Sequence, residues 1–274
     1  LKPLVVVGFG GYPTVPPMLA ASVLGVPAIL HEQNAVMGRA NAFLAGRVVK
    51  IATGFPEIAG ISKVLADKCV HTGNPLRPNV LEAAQIAYPV RQNGKLNVLV
   101  TGGSQGARVM SQIVPMAMAC LTADEWAQIT LVQQARGEDE LDVRLAYKTM
   151  GFEADIQPFF ADLPQRIAAA HLVISRSGAS TVSELAAIGR PAILVPFPFA
   201  LDQDQAANAA QLTASGSALV IRQEDFTAER LADELRAALA DEVGLQARAA
   251  AARRVGAPDA ASRLADLVVA TLPG

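Results

Sequence analysis

Three glycine-rich segments of this 274-residue chain have the composition of phosphate-binding turns. They are GFGGYP at residues 8–13, TGGSQGA at residues 101–107 and SRSGAST at residues 175–181, and each follows an apolar run. Glycine allows positive φ angles and close approach of a ligand, and a helix that starts there offers unpaired N–H groups and the positive end of its dipole. Because two of the segments fall in the same half of the chain, we expect a diphosphate ligand between them.

Other nucleotide-binding motifs match these segments poorly. The segment at residues 101–107 has no Lys-Ser/Thr pair, which disfavours ATP hydrolysis of the P-loop kind. It also lacks GxGxxG spacing with an acidic residue about 20 positions further on. An oxidoreductase that uses NAD or FAD remains an alternative based on Rossmann patterning alone, and tight packing is the alternative reading of each single turn.

Polar side chains downstream of the third turn are suited to a nucleotide sugar. Glu184 lies near the start of the helix that follows. There its carboxylate would either interact favourably with the positive end of the helix dipole or accept hydrogen bonds from both ribose hydroxyls. Gln205 and Asn208 are three residues apart at a predicted helix start. They would bind sugar hydroxyls, or belong to a solvated helix start.

A second polar cluster is HEQN at residues 31–34, directly after the apolar run PAIL. His31 alone is more often structural than catalytic, but several polar groups at one strand end need partners or a ligand. Arg77 in GNPLR would reach a base or a phosphate, or remain a surface arginine.

Short apolar runs alternate with Ala- and Leu-rich helical stretches, which predicts an α/β fold of parallel sheets covered by helices. Thr227 is a candidate N-cap for the amphipathic stretch that follows it. The predicted strands cover residues 4–7, 27–30, 48–52, 96–101, 129–133, 172–175, 192–195 and 218–221.

The chain divides into two Rossmann-like domains at a segment rich in proline. We expect a partial front domain at residues 1–76, a linker at 77–94, a back domain at 95–256 and a last helix at 257–274. The first residue is not methionine and a strand follows almost at once, so we expect the front domain to be incomplete.

Composition excludes several classes of protein. The chain is 51% hydrophobic and 18% charged, unlike a disordered protein, and no apolar run reaches the roughly 18 residues of a membrane span. Its two cysteines, Cys69 and Cys120, are far apart in the sequence. This spacing indicates a protein of a reducing cytosol without a disulfide framework. Residues 1–78 hold seven Lys/Arg against three Asp/Glu, but no basic stripe typical of nucleic-acid binding is present.

Several strings occur together in the order of one known family. They are GFGGYPTVPP, LHEQNAVMGRANAFLA, GNPLR, LVTGGSQGAR, SRSGASTVSE and DQDQAANA. With them the chain resembles the MurG family of bacterial UDP-N-acetylglucosamine transferases over nearly its whole length. The resemblance implies the two-domain GT-B fold, with the last helix returning to the front domain. It also implies an inverting transfer of N-acetylglucosamine to the muramoyl 4-hydroxyl of lipid I, giving lipid II for peptidoglycan synthesis.

The resemblance also implies a donor site. In it Ser104 would contact the diphosphate, Phe160 (through its backbone) and Arg77 would lie near the uracil, and Glu184 would bind the ribose. Asn34, Gln205 and Asn208 would hold the N-acetylglucosamine, with the backbone N–H groups of Ala179 and Ser180 near the ribose. Gly10, Gly11 and Tyr12 would face the diphosphate of the acceptor.

Two features depart from the family. Its chains open with a GGTGGH-type loop, whose histidine is a candidate general base, and no such loop is present in this sequence. The family commonly has His where Phe199 or Asp204 stands. The catalytic residue is therefore unassigned, and two alternatives stay open: a UDP-sugar-binding chain with impaired catalysis, or another UDP-sugar glycosyltransferase.

The expected partners are UDP-N-acetylglucosamine, the undecaprenyl-linked acceptor lipid I and an anionic membrane surface, with no cofactor, no assigned metal site and no nucleic acid. The acceptor's lipid anchor implies peripheral attachment to the cytoplasmic face of the bacterial inner membrane. Val15, Met18, Leu19 and Val23 would form an apolar membrane-facing patch, or a stripe that faces the core.

Overall fold

Two parallel sheets form the framework of the computed structural model, which describes residues 2–103, 106–200 and 203–272. The front sheet has the order β1-β2-β3-β4 and the back sheet the order β10-β9-β8-β5-β6-β7. The front strands are β1 (Val6–Gly8), β2 (Ala28–Glu32), β3 (Lys50–Thr53) and β4 (Cys69–His71). The back strands are β5 (Leu96–Thr101), β6 (Ile129–Gln134), β7 (Ala154–Gln157), β8 (Leu172–Ser175), β9 (Ala192–Leu194) and β10 (Ala218–Val220).

Helices cover the sheets as the apolar runs predict, which confirms two Rossmann-like α/β domains. In the front domain they are α1 (Val15–Val23), α2 (Arg39–Leu44) and α3 (Lys63–Ala66). The linker holds α4 (Pro78–Ala84). The back-domain helices are α5 (Arg108–Ala119), α6 (Ala123–Ala127), α7 (Glu140–Met150), α8 (Leu163–Ala169), α9 (Ala179–Ile188), α10 (Asp204–Ala214), α11 (Ala228–Ala240) and α12 (Glu242–Val255). Thr227 caps α11 by accepting a hydrogen bond from the N–H of Arg230 at 3.2 Å.

The segment at residues 77–94 is built into the back domain. Val80 and Ala83 of α4 are buried in the same apolar cluster as residues of α8 and α9. The fully buried Arg190 donates hydrogen bonds to the carbonyls of Ala87 and Ala168. Burial lowers the pKa of Arg190 to about 10, so the guanidinium remains charged at neutral pH and binds these carbonyls as a cation.

The last helix, α13 (Ala260–Ala270), returns to the front domain, as the resemblance to the MurG family implies. Leu264 packs against Ile29 of β2 and Ala52 of β3. The chain therefore crosses between the domains twice, near residues 73–77 and near residues 255–259. The two crossings touch, because a Cβ on Gly73 would lie only 2.7 Å from the Cβ of Ala257.

The apolar stripe of α1 faces the front core. Met18 is 2% exposed, and Val15 and Leu19 pack against the same cluster. The expectation of a membrane-facing patch on these three residues is therefore wrong, since their side chains complete the packing under β1 and β2. Val23, at the end of the helix, is 86% exposed.

Packing of α13 predicts a measurable loss of stability when its contact is removed. Leu264→Ala leaves a cavity against β2 and β3, and should lower the free energy of unfolding by about 2–3 kcal/mol. Val269→Ala on the exposed side of the same helix should change it by less than about 0.5 kcal/mol. Urea unfolding followed by circular dichroism measures both, and equal effects would contradict this packing.

Candidate functional site

A cleft of about 1200 Å³ lies between the two domains. It opens at the carboxyl ends of parallel strands, since it is lined by the residues that follow β1, β2, β5 and β8. In open α/β sheets this edge is where ligands bind. The predicted residues that line the cleft are Asn34, Arg77, Phe160, Ala179, Ser180, Glu184 and Gln205.

The turn after β5 is fixed by a buried glutamine that the sequence patterns do not reveal. Gln134, at the end of β6, accepts hydrogen bonds from Thr101 Oγ1 at 2.9 Å and from the N–H of Gly102 at 3.0 Å. A Cβ on Gly102 would collide with the backbone of Gly106 and Ala107, so the turn requires glycine at that position. Ser104 lies outside the described residues, and its predicted diphosphate contact remains a prediction.

The turn after β8 leads directly into α9, whose first residues, Ala179 and Ser180, line the cleft. The N–H groups of a first helical turn have no partner inside their own helix. Both predicted residues can therefore present backbone donors to a ligand, together with the positive end of the α9 dipole.

Glu184 and Arg77 form an ion pair across the cleft wall. Arg77 Nη2 donates to Glu184 Oε1 at 3.0 Å, and the Glu184 side chain is only 9% exposed. Burial raises the pKa of Glu184, and the Arg77 guanidinium opposes that shift. Glu184 is the sixth residue of α9, beyond the first turn where the helix dipole acts, so the dipole interpretation is the weaker one.

Asn208 is buried between the domains and does not line the cleft. Its Oδ1 accepts a hydrogen bond from the N–H of Ala35 at 2.7 Å, and its Nδ2 donates to Asn34 Oδ1 at 3.1 Å and to the carbonyl of Ser177 at 3.3 Å. Its side chain is fully enclosed, which corrects the expectation that it holds a sugar or sits at a solvated helix start. Asn208 instead holds Asn34, which does face the cleft.

Gln205 and Phe160 are the remaining predicted donor residues that line the cleft. Gln205 Oε1 accepts a hydrogen bond from the N–H of Phe197 at 3.0 Å, which fixes its side chain at the start of α10. Phe160 is 5% exposed, and the Arg166 guanidinium lies 4.5 Å above its ring. A backbone contact from Phe160 is consistent with this burial.

Side chains of the HEQN segment form hydrogen bonds within the protein. Glu32 accepts hydrogen bonds from the N–H of Asn34 at 3.0 Å and of Gly38 at 2.9 Å, so it shapes the loop. His31 is fully buried, with Nε2 3.0 Å from the carbonyl oxygen of Gly73, and burial lowers its pKa. His31 is thus a structural side chain, and Asn34 is the member that reaches the cleft.

The predicted acceptor loop follows β1. Gly10 and Gly11 have φ angles of 82° and 75°, a conformation that favours glycine, and Tyr12 is 81% exposed. These three residues do not line the cleft, although Phe9 of the same loop does. Phe199 is 81% exposed and Asp204 begins α10.

Sequence reasoning missed several arginines that line the cleft. Arg176 donates to the carbonyl oxygens of Val195 at 3.0 Å and Pro196 at 3.1 Å, and to Gln223 Oε1 at 2.6 Å. Arg108 and Arg136 also line the cleft, beside the turn after β5. The sequence signal that could have identified these arginines is their position just after predicted strands or turns, at the sheet edge where ligands bind.

Metal sites and membrane spans have no candidates in the part of the chain that the structure describes. Within residues 2–103, 106–200 and 203–272, no group of three or more His, Cys, Asp and Glu residues is arranged to hold a metal ion. In the same ranges, no helix has the length and hydropathy of a membrane span.

Comparison with known families decides the classification. The model of the glycosyltransferase family 28 C-terminal domain matches residues 97–264, and that of the family 28 N-terminal domain matches residues 1–53. The chain belongs to glycosyltransferase family 28. The oxidoreductase alternative is therefore wrong.

Individual relatives narrow the position within family 28. A curated UDP-N-acetylglucosamine--N-acetylmuramyl-(pentapeptide) pyrophosphoryl-undecaprenol N-acetylglucosamine transferase from Methylobacterium sp. (strain 4-46) is 60% identical over 99% of this chain and 73% of its own length. The enzyme of the same name from Brucella suis biovar 1 is 56% identical over 100% of this chain and 72% of its own.

A solved structure agrees with these sequence relatives. The crystal structure of Acinetobacter baumannii MurG has a TM-score of 0.80 and 31% identity, over 97% of this chain and 74% of that one. The resemblance to MurG and the GT-B fold are confirmed.

The buried amide of Asn208 gives a testable prediction for this family 28 chain. Asn208→Ala leaves the buried N–H of Ala35 without a partner, and should lower the free energy of unfolding by about 2 kcal/mol. Gln128→Ala removes an exposed amide that bonds only within its own helix turn, and should cost less than about 0.5 kcal/mol. Differential scanning calorimetry measures both; an unchanged melting temperature for Asn208→Ala would disprove its bridging role.

Proposed function

We propose that this chain transfers N-acetylglucosamine from UDP-N-acetylglucosamine to the muramoyl 4-hydroxyl of lipid I, giving lipid II of the peptidoglycan pathway. The observation that carries the proposal is the cleft with two glycine-rich turns and the buried Glu184, in a chain that is 60% identical to a curated enzyme of this name. The cleft is large enough for a nucleotide sugar, since ligand pockets commonly measure about 300–1000 Å³.

The donor's UDP portion would lie along the back-domain wall. Its diphosphate would meet the turn after β5, and its ribose would meet Glu184 and the first N–H groups of α9. Arg77 and the backbone of Phe160 would lie near the uracil. This placement puts the negatively charged diphosphate between the two turns, whose backbone N–H groups and helix dipoles favour an anion.

The sugar would lie toward the front domain, where Asn34 and Gln205 offer amide groups to its hydroxyls. Asn208 supports this subsite from behind by holding Asn34. The acceptor would approach from the front domain, with its own diphosphate at Gly10, Gly11 and Tyr12.

The reaction we propose is a single displacement that inverts the anomeric carbon. The acceptor hydroxyl attacks that carbon, its proton passes to a base that we do not assign, and the bond to the β-phosphate oxygen of UDP breaks. Negative charge grows on the departing diphosphate, and backbone N–H groups and helix dipoles that are already oriented toward it lower the barrier.

Glu184 gives the donor site a defined pH dependence. Because burial raises its pKa, the carboxylate that would accept both ribose hydroxyls becomes protonated at a higher pH than an exposed glutamate does. Donor affinity should be greatest above that raised pKa and should fall as the pH drops through it. Charge-assisted hydrogen bonds of this kind contribute about 1.5–3 kcal/mol, or roughly 10- to 100-fold in affinity.

Calorimetric titration with UDP-N-acetylglucosamine between pH 4.5 and 8 measures this dependence. Glu184→Gln should bind more weakly and show little change across that range, whereas Glu229→Gln, on the exposed face of α11, should behave as the wild type. A wild-type affinity independent of pH would remove Glu184 from the donor site. Transfer to a lipid I analogue, assayed in parallel, distinguishes the enzyme from a chain that only binds the donor.

Peripheral attachment to the cytoplasmic face of the inner membrane is the second part of the proposal. Residues 1–78 carry more basic than acidic side chains, and Val23 and Leu24 are 86% and 76% exposed at the end of α1. An anionic bilayer attracts such a basic domain, and exposed apolar side chains add to its affinity.

Co-sedimentation with vesicles of phosphatidylglycerol and phosphatidylethanolamine tests the attachment. The wild type should pellet with the vesicles at low salt, and the double variant Val23→Ser/Leu24→Ser should pellet less. Val243→Ser, an equally exposed position of the back domain, is the matched control. If pelleting does not depend on anionic lipid, the membrane proposal is refuted, and the proposed donor site is unaffected.

A further inference from the structure

The arginines that line the cleft differ in the partner that would lose its contact if the guanidinium turned toward a ligand. Arg176 is bound to two backbone carbonyls and Gln223, and Arg77 to the buried Glu184. Arg108 lies 3.7 Å from Asp139 Oδ1, and the Asp139 side chain is only 10% exposed. Moving Arg77 or Arg108 away would strip a buried carboxylate of its counter-ion, which is unfavourable.

Arg136 is in a different situation. It pairs with Glu138 just two residues on, and the two side chains are 38% and 61% exposed. An exposed ion pair of this kind contributes little, because water solvates both partners well when they separate. Arg136 can therefore exchange its partner for a ligand, leaving Glu138 in water.

The stem of Arg136 rests on the turn that would bind the diphosphate. Gly106 has a φ of 67°, and a Cβ added there would collide with Arg136 Cγ and lie 3.2 Å from its Cδ. The absence of a side chain at Gly106 thus makes room for the arginine. Arg136 lies two residues after the end of β6 and lines the cleft, so its side chain starts from the same sheet edge as the turn.

We propose that Arg136 binds the diphosphate of the donor, and that Glu138 holds the guanidinium at the cleft until the donor displaces it. This inference rests on the proposed function and adds a side chain to its donor site. The planar guanidinium suits phosphate, since it can donate two parallel hydrogen bonds to phosphate oxygens. Its charge is also placed to stabilise UDP as the leaving group, where negative charge increases during the transfer.

The test compares binding of UDP with binding of uridine, which lacks phosphate. Calorimetry on the full chain should show that Arg136→Ala weakens UDP binding at least tenfold and leaves uridine binding unchanged. Arg136→Lys should fall between the wild type and Arg136→Ala, because a lysine keeps the charge but not the paired donors. A merely structural arginine would change both ligands together.

Glu138→Gln supplies a result of opposite sign. Removing the competing carboxylate should strengthen UDP binding by a few fold and leave uridine binding unchanged. The matched control is Arg230→Ala, which breaks a partly exposed Arg–Glu pair on α11, away from the cleft, and should alter neither ligand.

Two results overturn the inference alone. One is an unchanged ratio of UDP to uridine affinity in Arg136→Ala while the wild type binds UDP-N-acetylglucosamine and transfers its sugar. The other is a loss of UDP affinity in Arg108→Ala but not in Arg136→Ala. Absence of saturable UDP binding by the folded wild type would instead overturn the inference and the proposed function together.

Discussion

Buried amide hydrogen bonds across the domain boundary, above all those of Asn208, hold the two domains together. Asn208 uses its oxygen and its nitrogen to join three groups, of which Asn34 and Ala35 belong to the front domain and Ser177 to the back domain. An amide enclosed in this way is costly to leave unpaired, which favours the orientation of the two domains that satisfies it. That orientation brings Asn34 to the same cleft as Glu184 and both glycine-rich turns. The geometry of the cleft, which residues of both domains line, thus depends on Asn208, although Asn208 itself does not line it.

Sequence patterns predicted the strands that are buried on both faces, such as β5 and β8, because a short continuous apolar run is typical of a strand covered by helices on both sides. They missed β4 and β7, whose sequences CVH and ADIQ are short and mixed in polarity. The other two edge strands, β1 and β10, have apolar sequences and were predicted, so the missing signal is the apolar run and not the edge position alone.

The candidate site was predictable to the extent that it follows local chain geometry. The turns at 101–107 and 175–181 are recognisable because glycine and a following helix are adjacent in sequence. The roles of Asn208 and Gln134 are not, because they depend on hydrogen bonds to residues 173 and 32 positions away in the chain. Met18 shows the same limit, since a helical stripe of apolar residues does not indicate whether a core or a bilayer covers it.

The two adjacent crossings between the domains constrain how the cleft can change its width. The linker is fastened to the back domain by Arg190, and α13 is fastened to the front sheet by Leu264. Gly73 and Ala257 touch, so both covalent connections pass through one small region at one side of the cleft. A sliding motion would stretch both connections at once, whereas a rotation about an axis through that region would stretch neither. The two connections therefore favour rotation about that region over sliding, with the largest displacement at the rim farthest from Gly73.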